Sequence, residues 1–209
     1  MKRIHIIEAS VAIGLVVSLI TSFVGFGMGC KDIRENVVRL HILANSDSEK
    51  DQQVKLIVRD ALLSCGSELF SGNADVNNAK EILAKQNTEL TEIANQTLAD
   101  NGFDYTAKIC LTEEYFTTRF YNDFTLPAGD YLALKVILGE GKGHNWWCVM
   151  FPPLCLPAAS ENEGIDIVLG ENGSEIVQNY TKYEVKFKFI EIYESIKNRI
   201  KVINNHKYS

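Results

Sequence analysis

No block of basic residues interleaved with aromatics occurs anywhere in these 209 residues, and a net charge of −6 with a pI near 5.3 argues against nucleic acid as a partner. The C-x2-C spacing of structural zinc sites is missing, and so is the G-x4-G-K-[ST] frame of a phosphate loop. Internal repeats and low-complexity tracts are absent as well. What remains is a chain of 23.4 kDa with 46% hydrophobic residues, enough for one good core once any targeting segment is set aside.

The longest apolar run lies at the start. Met1-Lys2-Arg3 precedes a mostly apolar stretch that is densest from Val11 to Gly29, a charged n-region followed by a long h-region. Residues 1–29 therefore read as a signal peptide or an N-terminal membrane anchor, since the run is long enough to span a bilayer. Gly27-Met28-Gly29 places small residues where a signal peptidase reads. Cys30 follows at once, as in a lipoprotein site, although Gly27 stands where such sites carry Leu. Residues 30–209 are expected to form a single extracytoplasmic domain.

Within that domain Asn36 to Leu43 reads as a strand, with Val38, Leu40 and Ile42 on one face and Arg39 and His41 on the other. Ser46-Asp47-Ser48-Glu49 fits a capping box opening a helix from about Asp47 to about Phe70. A second helix carries Ala79, Ile82, Leu83, Leu90, Ile93, Ala94 and Leu98 inward and stops at Gly102. Phe103 to Leu111 alternates as a half-buried strand, Tyr115 to Tyr121 is another candidate, and Tyr131 to Leu138 is apolar enough for a sheet interior. After Cys155 the chain reads as irregular surface with room for a short helix until Tyr183. From Val185 the residues Phe189, Ile192, Tyr193, Ile196, Ile200 and Ile203 return at helical spacing; although Tyr183, Val185, Phe187 and Phe189 also alternate like a strand, a terminal helix is favoured. Its seven Lys and Arg residues against three Glu fit either an anionic membrane surface or a solvated face. The fold class is α+β: a central, mostly antiparallel sheet of about four to five strands packed by two long helices and the C-terminal helix.

The densest chemistry sits between Gly139 and Cys155, which holds three glycines, both tryptophans and two cysteines. Gly139, Gly141 and Gly143 allow a sharp turn, and Asn145 to Phe151 reads as a strand ended by Pro152-Pro153. Trp146, Cys148 and Met150 share one face and Trp147, Val149 and Phe151 the other, so this strand is expected in the middle of the sheet, paired with Tyr131 to Leu138 through the glycine loop. A bond between Cys148 and Cys155 would close a short loop, contributing about 2.5 kcal/mol. A zinc site of His144, Cys148 and Cys155 lacks the usual spacing, and no metal or cofactor is expected. An exported cell-wall hydrolase, a Cys–His peptidase using Cys148 with His144 or His41, is the enzyme alternative. Against it, such a nucleophile belongs at a helix N-terminus, whereas Cys148 reads as mid-strand.

Two blocks carry a resemblance. Arg39-Leu40-His41-Ile42-Leu43-Ala44-Asn45-Ser46-Asp47-Ser48 with Asp51-Gln52 and Lys55 to Asp60 is one; Pro127 to Gly139, running on through Asn145-Trp146-Trp147-Cys148 to Phe151-Pro152-Pro153-Leu154-Cys155, is the other. Together they resemble the stage II sporulation protein R family. That resemblance implies a non-enzymatic signalling protein made in the forespore. It would be exported into the space between forespore and mother-cell membranes, or anchored at the outer face of the forespore membrane. Its implied partner is a membrane-embedded aspartic protease in the opposing membrane, which processes inactive pro-sigma-E. The surfaces expected to meet that partner are Asn45, Ser46 and Asp47 together with His144, Asn145, Trp146, Trp147, Pro152 and Pro153.

Overall fold

The computed structural model describes residues 2–70, 76–121, 123–152, 154 and 163–207. In chain order these form α1 (Lys2–Asn36), β1 (Val38–Leu43), α2 (Glu49–Leu69), α3 (Val76–Lys85), α4 (Asn87–Asp100), β2 (Ala107–Phe116), β3 (Arg119–Phe120), β4 (Thr125–Leu126), β5 (Gly129–Leu138), β6 (Asn145–Phe151), α5 (Glu163–Gln178) and α6 (Tyr180–Lys207). The architecture is α+β. Four strands make the main sheet in the order β2-β5-β1-β6, and β3 and β4 form a separate two-stranded ribbon.

Alternation along the strands divides the main sheet into two faces. Leu40 pairs with Leu134 and with Cys148, and the neighbouring row joins Ile109, Val136, Ile42 and Trp146. This first face is covered by α2, α3 and α4, whose Val54, Val58, Leu62, Leu83, Leu90, Ala94 and Leu98 are almost completely buried. Among the described residues the second face is covered over half its length, where Phe26, Cys30 and Ile33 of α1, Ile176 and Val177 of α5 and Phe187 of α6 pack on Val37, Tyr131, Ala133, Val149 and Phe116. Side chains of this size, fully buried, contribute about 1.5–3 kcal/mol each.

Several expectations are corrected. Strand β6 lies at an edge and not in the middle: Cys148 and Met150 are buried in the cluster with α2, and Val149 in the cluster with α1 and α5, so this part of the strand is apolar on both sides without a second neighbouring strand. It does not pair with β5; β1 inserts between them, parallel to β5 and antiparallel to β6, so the glycine loop crosses the end of β1. The second helix is two, α3 and α4, bent at Gln86 (φ −92°, ψ 10°), where a polar run from Lys85 to Glu89 separates two apolar stripes. Ser48, not Ser46, caps α2, its hydroxyl accepting from the Asp51 amide at 3.2 Å. The candidate strand at Tyr115 to Tyr121 splits between the end of β2 and β3. In the stretch before Tyr183, where little pattern beyond a short helix was expected, lies the 16-residue α5, with a kink at Gly170 (φ 65°), and α6 begins at Tyr180.

Candidate functional site: a clasped loop beside an open sheet face

Because β5 and β6 are joined across the end of β1, the Gly139 to His144 loop runs directly over the chain leaving β1. The two segments are clasped by backbone and side chain. Amides of Glu140, Lys142 and Gly143 donate to Asn45 Oδ1, Asn45 O and Ala44 O at 2.9, 3.2 and 2.8 Å. His144 donates its amide to Asp47 Oδ1 at 2.7 Å, and its imidazole is ion-paired with the same carboxylate. Lys55 of α2, nearly buried, donates to the His144 carbonyl at 2.9 Å and to Gln52 Oε1 at 2.5 Å. Burial lowers the Lys55 pKa, with nearby Asp47 working against the shift.

Asp51 organises the underside of this clasp. Its carboxylate accepts from Ser46 Oγ (2.5 Å), Tyr105 OH (2.6 Å) and Asn45 Nδ2 (3.0 Å). Burial pushes this carboxyl up, but the hydrogen bonds from Ser46, Tyr105 and Asn45 together outweigh it and hold its pKa below the ordinary range. A carboxylate with a depressed folded-state pKa stabilises the fold above its unfolded pKa, and that contribution disappears as pH falls through the folded value. The melting temperature should therefore hold from neutrality to about pH 5 and drop below about pH 4. In a pH series of thermal melts, Asp51→Asn should melt lower at pH 7 and show a shallower acid slope.

The predicted residues Asn45, Ser46, Asp47 and His144 are thus brought together, and their polar groups are spent on holding the loop. Trp146 lies half-buried on the first face beneath Arg59, whose guanidinium sits 4.7 Å from its ring. Pro152 is buried after a cis peptide bond, and Pro153 lies outside the described residues.

Asn145 and Trp147 belong to a different feature, the uncovered half of the second face. Here the register aligns Cys110, Lys135, His41 and Trp147 in one row, and Lys108, Ile137, Leu43 and Asn145 in the next. His41 stacks on Trp147 at 3.7 Å between centroids, with Nδ1 2.7 Å from Glu114 Oε2 and Nε2 3.0 Å from Asn145 Oδ1. Lys135 reaches the other Glu114 oxygen at 2.5 Å. Burial raises the Glu114 pKa, but hydrogen bonds from Lys135 and His41 and their charges carry it below the usual carboxylate range. Arg119 lies 5.1 Å from the outer side of Trp147. The result is a rigid aromatic platform, fixed by a neutralised polar cluster and bordered by exposed Lys108, Cys110 and Asn145. Glu114, Lys135 and Arg119 were not singled out by sequence reasoning; the alternation of Thr112, Glu114 and Phe116, which share the face of Arg39 and His41, was the available signal.

Other chemistry is not assembled. Cys148 and His41 lie on opposite faces of the sheet, Cys148 is disulfide-bonded, and His144 is exposed on the loop, so the Cys–His dyad has no geometry. Cys155 lies outside the described residues, while Cys30, Cys65 and Cys110 are free thiols. Among the described residues no three His, Cys, Asp or Glu side chains converge as a metal site.

Residues 34–161 match the stage II sporulation protein R family (spore_II_R). The chain belongs to that family. It is 35% identical over 133 residues to stage II sporulation protein R of Bacillus subtilis (strain 168), an alignment covering 64% of this chain and 59% of that relative. The match thus spans about three fifths of the relative's length. No solved structure matches. The family segment takes in the whole sheet, α2 to α4, the clasp and the His41 platform; α5, α6 and most of α1 lie outside it. Family membership assigns the protein to sporulation, and the apolar helix α1 is compatible with export as a signal peptide or an anchor.

Proposed function

We propose that this protein is an exported, non-enzymatic sporulation signal that activates a membrane-embedded aspartic protease in the opposing membrane, which then removes the pro-sequence from inactive sigma-E. The observation that carries the reading is the uncovered half of the second sheet face, a preorganised Trp147–His41 platform inside the family segment. Rigid, half-buried aromatics bordered by polar groups are what protein interfaces use as anchors. An activator of this kind acts only through a higher affinity for the protease's active arrangement than for its resting one. The clasp between Asn45–Asp47 and Gly139–His144 would then serve to hold the platform's outer row in place.

The test is co-expression with the sporulation protease and tagged pro-sigma-E in a non-sporulating bacterial host, reading pro-sequence cleavage on a gel. Cleavage should require both the protease and this protein carrying its N-terminal segment. Cys110→Arg, at an exposed position in the platform row, should cut cleavage roughly tenfold, equivalent to about 1.4 kcal/mol at an interface. Its melting temperature should stay within about 2 °C of the parent, as expected for a surface change. Absence of cleavage by a folded, exported protein would sink the proposal.

A further inference from the structure

Helix α1 is divided by its own surroundings. From His5 to Ser22 every residue is exposed, yet the stretch is apolar enough to cross a membrane. From Phe23 onward burial becomes periodic: Phe26 (5% exposed), Cys30 (0%), Ile33 (0%) and, just past the helix, Val37 (1%) form one stripe under the second sheet face. The helix runs unbroken through Gly27-Met28-Gly29, the small residues that a signal peptidase would read. Gly29 packs so closely on α5 that a Cβ there would lie 2.5 Å from Ile176 Cδ1.

We propose that α1 is retained after export, with residues 5–22 as a permanent membrane span, residues 23–36 as a core helix of the domain, and the first turns of α6 resting on the same bilayer. The inference rests on the export reading above and is independent of protease activation. Eighteen helical residues rise about 27 Å, close to the hydrocarbon thickness of a bilayer. The hydroxyls of Ser10 and Thr21 donate back to Ile6 O (2.8 Å) and Val17 O (3.0 Å), so these polar groups are satisfied within the helix. The one carboxylate, Glu8, sits at the end that the sequence flanks with Lys2 and Arg3, 3.2 Å from His5.

At the other end of the exposed segment the contacts with α6 begin. Lys186 Nζ donates to Ser22 Oγ at 2.8 Å, Phe23 meets Phe189 at 5.0 Å between centroids, and Phe26 meets Phe187 and Tyr183 at 5.2 and 5.3 Å. Val185 and Phe189, 66% and 60% exposed, therefore sit where the span leaves the bilayer, beside Lys182, Lys186 and Lys188. Lys182 and Lys188 are paired with Glu175 and Glu191, and Lys186 holds Ser22, so exposed apolar groups beside balanced charges at the end of the span fit the interfacial layer of a bilayer. Cleavage after Gly29 would remove Phe23 and Phe26 and uncover Tyr183 and Phe187.

The test uses the full chain with a C-terminal tag, expressed in an export-competent bacterium. Intact mass is measured on the membrane fraction after alkaline carbonate washing, and maleimide labelling is run on native membranes in a Cys65→Ala/Cys110→Ser background. Retention predicts the complete 209-residue chain in the washed membranes. It also predicts Cys30 labelling at least roughly tenfold slower in native membranes than after urea, since Cys30 is shielded by the α1 stripe. A product starting anywhere between Phe23 and Cys30, release by carbonate, or prompt native labelling of Cys30 would overturn the proposal. Each readout is independent of sigma-E processing, so failure here and failure of the activator reading are separable.

Discussion

Replacing Arg39 with alanine is expected to lower stability by about 3–5 kcal/mol, whereas Arg39→Met should cost less than about 1.5 kcal/mol. Arg39 is fully buried on the second sheet face, beneath the β3–β4 ribbon. Its guanidinium lies 4.3 Å from the Phe116 ring centre and 5.1 Å from that of Tyr131, donates from Nε to Cys148 O at 3.1 Å and from Nη2 to Tyr121 OH at 2.6 Å. No carboxylate pairs with it among the described residues, and Nη1 has no hydrogen-bond partner. Burial accordingly lowers its pKa, against the nearby Tyr121 and Tyr131 hydroxyls.

Two effects compete at this position. Desolvating an unpaired cation is costly, and the aromatic faces and two hydrogen bonds offset only part of that cost. The side chain also fills a large volume between Phe116, Tyr121 and Tyr131. Alanine loses that packing and the bond to the Cys148 carbonyl; methionine keeps most of the volume and removes the buried charge. For a domain of this size a loss of about 3–5 kcal/mol lowers the melting temperature by roughly 10 °C, readily followed by circular dichroism. An alanine variant melting within about 3 °C of the parent would refute the packing argument. A methionine variant as unstable as alanine would instead show that the hydrogen bonds dominate.

Gly143→Ala is the second large effect, expected to cost about 3 kcal/mol and, on the function proposed above, to abolish cleavage in the co-expression assay. A Cβ at Gly143 would lie 2.2 Å from Ser46 O and 2.5 Å from Ser46 C, and both are backbone atoms that cannot swing aside. The clasp must open, and the 2.8 Å bond from the Gly143 amide to Ala44 O goes with it. Gly102→Ala supplies the contrast. Nothing lies within 4 Å of that Cβ, and only its φ of +80° penalises a side chain, by about 1–2 kcal/mol. If the two variants melted alike in parallel thermal scans, close approach would not be what requires Gly143.

Much of the fold was legible because periodicity reports burial directly. The alternation of Val38, Leu40 and Ile42 against Arg39 and His41 holds in β1, and the apolar stripes of α2 and α4 face the sheet as read. The glycine-rich loop and the Asn45-Ser46-Asp47 turn were legible as special, though not as partners of each other. Their meeting depends on β1 inserting between β5 and β6, a pairing between residues about a hundred positions apart that no local pattern encodes. The same holds for the His41 platform, whose members come from β1, β2, β5 and β6. For α5, the composition around Gly170 and Gly173 obscured a helix that is held by packing on α1 and not by its own propensity.

By itself, then, the sequence determined the apolar faces, the family, the acidic balance and the long apolar segment at the start, because each follows from residue type and spacing along the chain. Only the tertiary structure decided that β6 is an edge strand, that Asn45, Ser46 and Asp47 are bound up in a clasp, and that the apolar run of α1 is half exposed and half core. Hydrophobic spacing specifies which side of an element avoids water; which neighbour covers it depends on long-range packing, and along α1 that cover begins only at Phe23.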